Sequence, residues 1–147
     1  MTVNITKALK AALQADNLDE QILLESFQQW KESRDEYGSY LFGKDSAYTI
    51  PKIDGKSYRL RHVHLPPLST LEQLEVWNKQ WQRRGRKTSD RVLVYVEDEQ
   101  GNYLLIFILP EPMAHEIAKM QTPAHRQIME SFASVATKFL ETGQVIA

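Results

Sequence analysis

The sequence predicts an α+β domain: a small antiparallel sheet packed by helices from the N-terminal and C-terminal parts of the chain. Three observations carry this expectation. Helical and extended segments follow one another in the order α, α, β, (β), α, β, β, α. The links between extended segments are short, Asp54-Gly55 and Asp98 to Gly101, and short links join antiparallel neighbours. The chain has 147 residues, 42% of them hydrophobic and 25% charged, which suits one domain with a real core.

The elements are justified in turn. Residues 4 to 15 have Ile5, Leu9 and Leu13 at helical spacing, with Asn4 as the expected N-cap. Asp16-Asn17 breaks that helix. From Leu18 to Tyr37 a second apolar stripe holds Leu23, Phe27, Trp30 and Tyr37, and Gly38 stops it. Residues 40 to 51 read as an ordered loop. Asp54-Gly55 is a hairpin dipeptide that lets Tyr48–Ile53 pair with the strand starting at Lys56, although Pro51 confines the first partner to a short or edge strand.

Tyr58 to Leu65 alternates as a strand does, so Tyr58, Leu60, His62 and His64 share one face and Arg59, Arg61 and Val63 the other. After Pro66-Pro67, Ser69 or Thr70 caps a helix to about Arg84, with Leu71, Leu74, Trp77 and Trp81 as its apolar stripe. Arg91–Glu97 and Asn102–Leu109 form two strands, and the nearly continuous apolar run from Tyr103 makes the second the central, doubly covered one. A short helix is expected at Met113–Met120 and a long one at Thr122–Glu141, closed by Gly143. No repeat or linker divides the chain, so residues 1–147 are expected to form a single domain.

There is no cysteine, which excludes disulfide and thiolate chemistry and suits a reducing compartment. No run approaches the ~18 apolar residues of a membrane span, and the first residues lack the apolar segment of a secretory signal. A soluble, cytoplasmic protein is expected. The net charge is −1, but from Lys56 to Arg91 nine Lys and Arg stand against three acids, while the rest of the chain carries nine bases and 16 acids. That asymmetry suits a polyanion or an acidic partner at one surface. A solvated helical face accounts for the same charges more simply.

His62 and His64 admit three readings. Two histidines two apart on a strand can reach a metal, but His115 and His125 are distant in sequence and no carboxylate completes a ligand pattern. They can be buried, hydrogen-bonded structural residues. Or they transfer protons, since imidazole titrates near neutrality. Cleaving RNA without a metal fits the third reading. It needs a base for the 2′-hydroxyl, cations on the phosphate and an acid for the leaving oxygen. Arg59, Arg61, Arg86, Lys87 and Arg91 are the candidate cations. Arg86 and Lys87 are preferred because a regular strand points Arg59 and Arg61 away from the histidines. Tyr95 either stacks on a base or fills the core, and Tyr103 suits the core better. No phosphate-binding loop, dinucleotide fingerprint, nucleophile elbow or other cofactor motif is present, so no cofactor is expected.

Five pieces occur in order: Leu41-Phe42-Gly43-Lys44-Asp45, His62-Val63-His64-Leu65, Lys87-Thr88-Ser89-Asp90, Leu93-Val94-Tyr95, and Leu104 to Pro112 followed by His115. In that order, over about residues 40 to 120, the chain resembles the YafO-type toxins of bacterial type II toxin–antitoxin systems. The segment Leu71 to Arg86 is longer than its counterpart, and the N-terminal helices and the tail after Glu141 have no clear one.

The resemblance implies a RelE/ParE-like α+β scaffold and an endoribonuclease (mRNA interferase) that cuts messenger RNA on the ribosome and inhibits translation and growth. It implies a cognate antitoxin protein as partner and no metal. Catalysis would then fall to His62, His64, Lys87 and Tyr95, and RNA binding to Arg61, Arg83, Arg84, Arg86 and Arg91. Two other readings use the same basic segment. One is a non-catalytic RNA- or ribosome-binding module, the other an interaction protein that meets an acidic partner.

Overall fold

The computed structural model describes residues 1–35 and 38–147. Strand β1 (Val3–Ile5) leads into helix α1 (Lys7–Ala15), followed by α2 (Glu20–Ser33), β2 (Asp45–Ala47) and β3 (Arg61–His64). Then come α3 (Leu71–Gln82), β4 (Val92–Glu97), β5 (Tyr103–Leu109), α4 (Ala114–Ala118) and α5 (Pro123–Thr142). The sheet order is β1-β5-β4-β3-β2. Neighbours are antiparallel except β1, which lies parallel to β5. The fold is α+β as expected, but the sheet is mixed rather than purely antiparallel.

The parallel edge corrects the reading of the N-terminus. Val3–Ile5 is a strand, so Asn4 cannot cap a helix. Thr6 is the cap. Its Oγ1 accepts from Leu9 N at 3.1 Å and donates to the Ile106 carbonyl at 2.7 Å, which ties the start of α1 to β5. Asp19 caps α2, whose Phe27 and Trp30 are buried as the stripe predicts. The Tyr37 end of that predicted helix lies outside the described residues.

The two faces of the sheet bury different residues because strand side chains alternate. Val92, Val94, Val96, Leu104 and Ile106 meet Met129, Phe132, Val135, Ala136 and Phe139 of α5 and Ile117 of α4. Leu93, Tyr95, Tyr103 and Leu105 meet Leu9 and Leu13 of α1 and Phe27 and Trp30 of α2. The Phe27 ring stands edge-on to Trp30, Phe42, Tyr95 and Tyr103, with centroids 5.2 to 5.7 Å apart. Such pairs add about 0.5–1.5 kcal/mol each beyond the area they bury. Strand β5 is covered on both faces as predicted, but β4 is the middle strand.

The Asp54-Gly55 turn forms with φ of 50° and 72°, and Ile53 and Lys56 exchange backbone hydrogen bonds at 3.0 Å. The predicted pairing continues through Tyr48, which accepts from the Tyr58 amide at 2.9 Å and donates to the Leu60 carbonyl at 2.8 Å, but not as a regular ladder. Tyr58 adopts a φ of 68°, so β3 begins at Arg61 and lies between β4 and Asp45–Ala47. Helix α3 also differs. Of its predicted apolar stripe Trp77 is buried and Leu74 and Trp81 are half-buried, but Leu71 is 79% exposed, so the stripe packs only shallowly. The helix hangs on Trp77, whose Nε1 donates to the Tyr40 carbonyl at 3.0 Å, and on Tyr40, whose hydroxyl donates to Asn78 at 2.6 Å. Gly43 lets this region close. A Cβ there would lie 2.2 Å from the Lys87 carbonyl oxygen and 2.9 Å from the Trp77 ring.

Candidate functional site

The α4/α5 face of the sheet carries His62 and His64, because they share register with Val94 and Val92. His62 stacks on Tyr48 with ring centroids 4.1 Å apart and planes 14° from parallel. Its Nε2 is 3.2 Å from Ser46 Oγ, while its buried Nδ1 has no hydrogen-bond partner among the described residues. Burial, reinforced by His64, drops its pKa to about 4, so it is neutral at pH 7.

His64 is only 4% exposed. Its Nδ1 is 2.6 Å from the Ser89 carbonyl oxygen and 3.0 Å from the Ser89 amide nitrogen. The carbonyl accepts from Nδ1 in the tautomer that carries the proton there and leaves the lone pair on Nε2, and the amide donates to Nδ1 in the other. Burial lowers this pKa too, and the Ser89 contact opposes the shift only in part.

The fold adds a third imidazole. Helix α4 places the His115 ring 5.7 Å from that of His64, which is itself 5.9 Å from His62. His115 is the accessible member, with its side chain 59% exposed. Its Nδ1 is 2.7 Å from Asp90 Oδ1, and its backbone N donates to the same oxygen at 2.8 Å. Lys44 comes from the strand extension opposite His64: the His64 amide donates to the Lys44 carbonyl at 3.0 Å. The ammonium of Lys44 depresses His64, and its side chain makes no hydrogen bond or ion pair among the described residues. One face thus assembles neutral His64, an Asp90–His115 pair and a lysine. Among the described residues no group of three or more His, Cys, Asp or Glu is placed to hold a metal ion.

The other residues singled out in the sequence are elsewhere. Tyr95 is on the opposite face of the sheet and fully buried. Its hydroxyl donates to Asp45 Oδ1 at 2.6 Å and accepts from Lys31 Nζ at 3.0 Å and Arg61 Nε at 3.2 Å. Burial beside Asp45 holds its pKa well above the usual phenol value. Arg61 and Lys31 both pair with Asp45, at 3.3 and 3.2 Å. Lys87 is fully buried under α3, with Nζ 5.0 Å from the Trp81 ring centre and 5.7 Å from that of Trp77. Among the described residues Nζ has no hydrogen-bond partner, and burial lowers its pKa. Arg83, Arg84 and Arg86 are exposed around the end of α3, and Arg84 pairs with Asp35 at 2.7 Å. Arg91 is half-buried and donates to the Pro66 carbonyl at 3.2 Å.

A family model described as toxin YafO, type II toxin–antitoxin system, matches residues 28–141. The chain belongs to the YafO toxin family. It is therefore a toxin of a type II system, and membership implies a cognate antitoxin. No curated protein and no solved structure matches it. No helix among the described residues is long and apolar enough to cross a membrane. The YafO match extends beyond both ends of the ordered motifs and takes in the second half of α2 as well as most of α5.

Lys44, His62, His64, Asp90 and His115 all lie within the YafO match. Sequence reasoning gave no role to Lys44, Asp90 or His115, although each belongs to a motif that carried the family resemblance. The missing signal was spatial. His115 is 51 positions beyond His64 in the numbering, and only the β4–β5 hairpin returns it to that strand.

Proposed function

We propose that this YafO-family toxin is an endoribonuclease that cleaves messenger RNA on the ribosome without a metal. The observation that carries the reading is the contrast between two imidazoles 5.7 Å apart. His64 is kept neutral by burial, and in the tautomer with its proton on Nδ1 toward the Ser89 carbonyl it offers the Nε2 lone pair. His115 is exposed, and its Nδ1 lies 2.7 Å from the Asp90 carboxylate, which orients the ring. That difference sorts a base from an acid.

His64 Nε2 takes the proton of a ribose 2′-hydroxyl. The 2′-oxygen attacks the adjacent phosphorus, and the bond to the 5′-oxygen of the next nucleotide breaks. His115, oriented by Asp90, gives a proton to that leaving oxygen. The products are a 2′,3′-cyclic phosphate and a 5′-hydroxyl. Lys44 neutralises the non-bridging oxygens as charge builds on them. His62 stays behind His64, held by Ser46 and Tyr48, and keeps a second positive charge away from the base. Arg83, Arg84 and Arg86 attract the RNA backbone from outside the reaction centre.

The test is a reconstituted ribosome complex with a defined message, followed by mapping of 5′ ends and chemical typing of 3′ ends. The expected result is new ends with cyclic phosphate, lost by 10²-fold or more in His115→Asn and in His64→Ala. A folded parent protein that binds the ribosome and produces no new ends supports the non-catalytic binding module instead. Cleavage of the same message free of ribosomes at an equal rate removes the ribosome from the proposal.

A further inference from the structure

Beside the α1/α2 face lies an apolar groove of about 570 Å³, lined by Leu18, Ile22, Leu23, Leu41, Pro67 and Leu68 among others. It runs into a smaller cavity of about 220 Å³ through shared residues that include Leu13, Leu18, Arg91 and Ile108. Leu18, Ile22 and Leu68 are 39%, 58% and 65% exposed, so three large aliphatic side chains stand in solvent around one depression. Single exposed apolar residues are ordinary; a grouped set around a concavity marks a surface that meets a partner.

The charges of the groove say what kind of partner. Asp19 is engaged as the cap of α2, accepting from Gln21 N at 2.8 Å. Glu111 accepts from the Leu68 and Ser69 amides. Asp16 lies at the far end, in the smaller cavity. Arg91 lies where the two cavities join, and among the described residues its guanidinium makes one hydrogen bond, to the Pro66 carbonyl. Asp16 and Glu111 influence it through space but form no ion pair with it. An arginine with most of its donors unmatched, set in an aliphatic groove, is complemented by an aliphatic segment carrying one carboxylate.

We propose that this groove seats an amphipathic segment of the cognate antitoxin, with aliphatic residues against Ile22 and Leu68 and an aspartate or glutamate against Arg91. The proposal stands on family membership and surface chemistry, and holds whether or not the toxin is a nuclease. The geometry also links seat to site. Leu65, Pro66 and Arg91 directly follow His64 and Asp90 in the chain, and Ser89 Oγ donates to the Leu65 carbonyl at 2.5 Å. An occupant of the groove bears on the backbone that holds His64 and Asp90.

The experiment titrates the full-length toxin with its antitoxin by calorimetry and scores rescue of growth on co-expression. Ile22→Asp and Leu68→Asp change exposed side chains, so folding is retained and is checked by thermal melting. The expected result is a Kd at least tenfold weaker and loss of rescue, with growth arrest by toxin alone unchanged. Arg91→Glu also weakens binding, and reversing one antitoxin acid to arginine restores it. Affinities within twofold of the parent for both aspartate variants overturn the proposal. So does a toxin dimer that these variants dissolve while antitoxin affinity stays the same, since the groove would then serve a second copy of the toxin.

Discussion

His62 shows how one side chain couples the site to stability. Its ring is stacked on Tyr48 and its Nδ1 is buried without a hydrogen-bond partner among the described residues, so a proton there has no compensating acceptor among them. Its pKa of about 4 when folded lies below the ordinary value of 6.5, so the unfolded chain binds this proton more tightly. Stability is therefore full above about pH 6.5 and is lost as pH falls toward 4. The full shift corresponds to at most ~3 kcal/mol at one pH unit per 1.4 kcal/mol. His64 is shifted in the same direction and adds to the effect. Urea midpoints measured from pH 7 to pH 4.5 are expected to fall less steeply in His62→Phe, which keeps a ring against Tyr48 and removes the titrating nitrogen. Equal slopes for parent and variant would place the acid sensitivity elsewhere.

At the scale of elements, α3 and the loop after it separate what the sequence could say from what it could not. The alternation of β4 was legible: Val92, Val94 and Val96 face one way and Leu93 and Tyr95 the other. That same alternation puts Tyr95 across the sheet from His62 and His64, because Tyr95 pairs with Arg61 while Val94 pairs with His62. Register between strands is a long-range property, and motif order alone did not supply it. The apolar stripe of α3 was legible as a helix signal, but not its depth of packing. Only Trp77 is buried, while Lys87 from the following loop fills the space beneath. A lysine ammonium enclosed without a hydrogen bond is costly unless a neighbour compensates, and the Trp77 and Trp81 rings do so only in part. Lys87→Met keeps the aliphatic stem against those rings and removes the charge. It is expected to raise stability by about 1 kcal/mol, read as a higher urea midpoint at constant m. If Lys87 acts only in this packing, cleavage and growth arrest are unchanged. Lost activity in the more stable variant would instead assign the lysine a direct role.

Across the whole molecule, polar chemistry and apolar docking occupy different surfaces. His64, His115, Asp90 and Lys44 gather on the α4/α5 side, and the Ile22–Leu68 groove opens beside α1 and α2. The exposed arginines Arg83, Arg84 and Arg86 follow α3 in neither place. Their sequence clustering has two physical explanations that make different demands. Cations at a helix C-terminus favour the helix dipole, which stabilises the fold and needs no ligand. Cations that meet RNA release counterions, which makes affinity fall with salt by about 0.7 in log–log slope per phosphate contact on a single strand. Arg84 is already paired with Asp35, so Arg83 and Arg86 are the informative pair. In Arg83→Gln with Arg86→Gln, the salt slope for single-stranded RNA binding is expected to flatten by about 1.4, with the melting temperature nearly unchanged. A lowered melting temperature with an unaltered slope would mean that these charges serve the helix and that RNA approaches from another side.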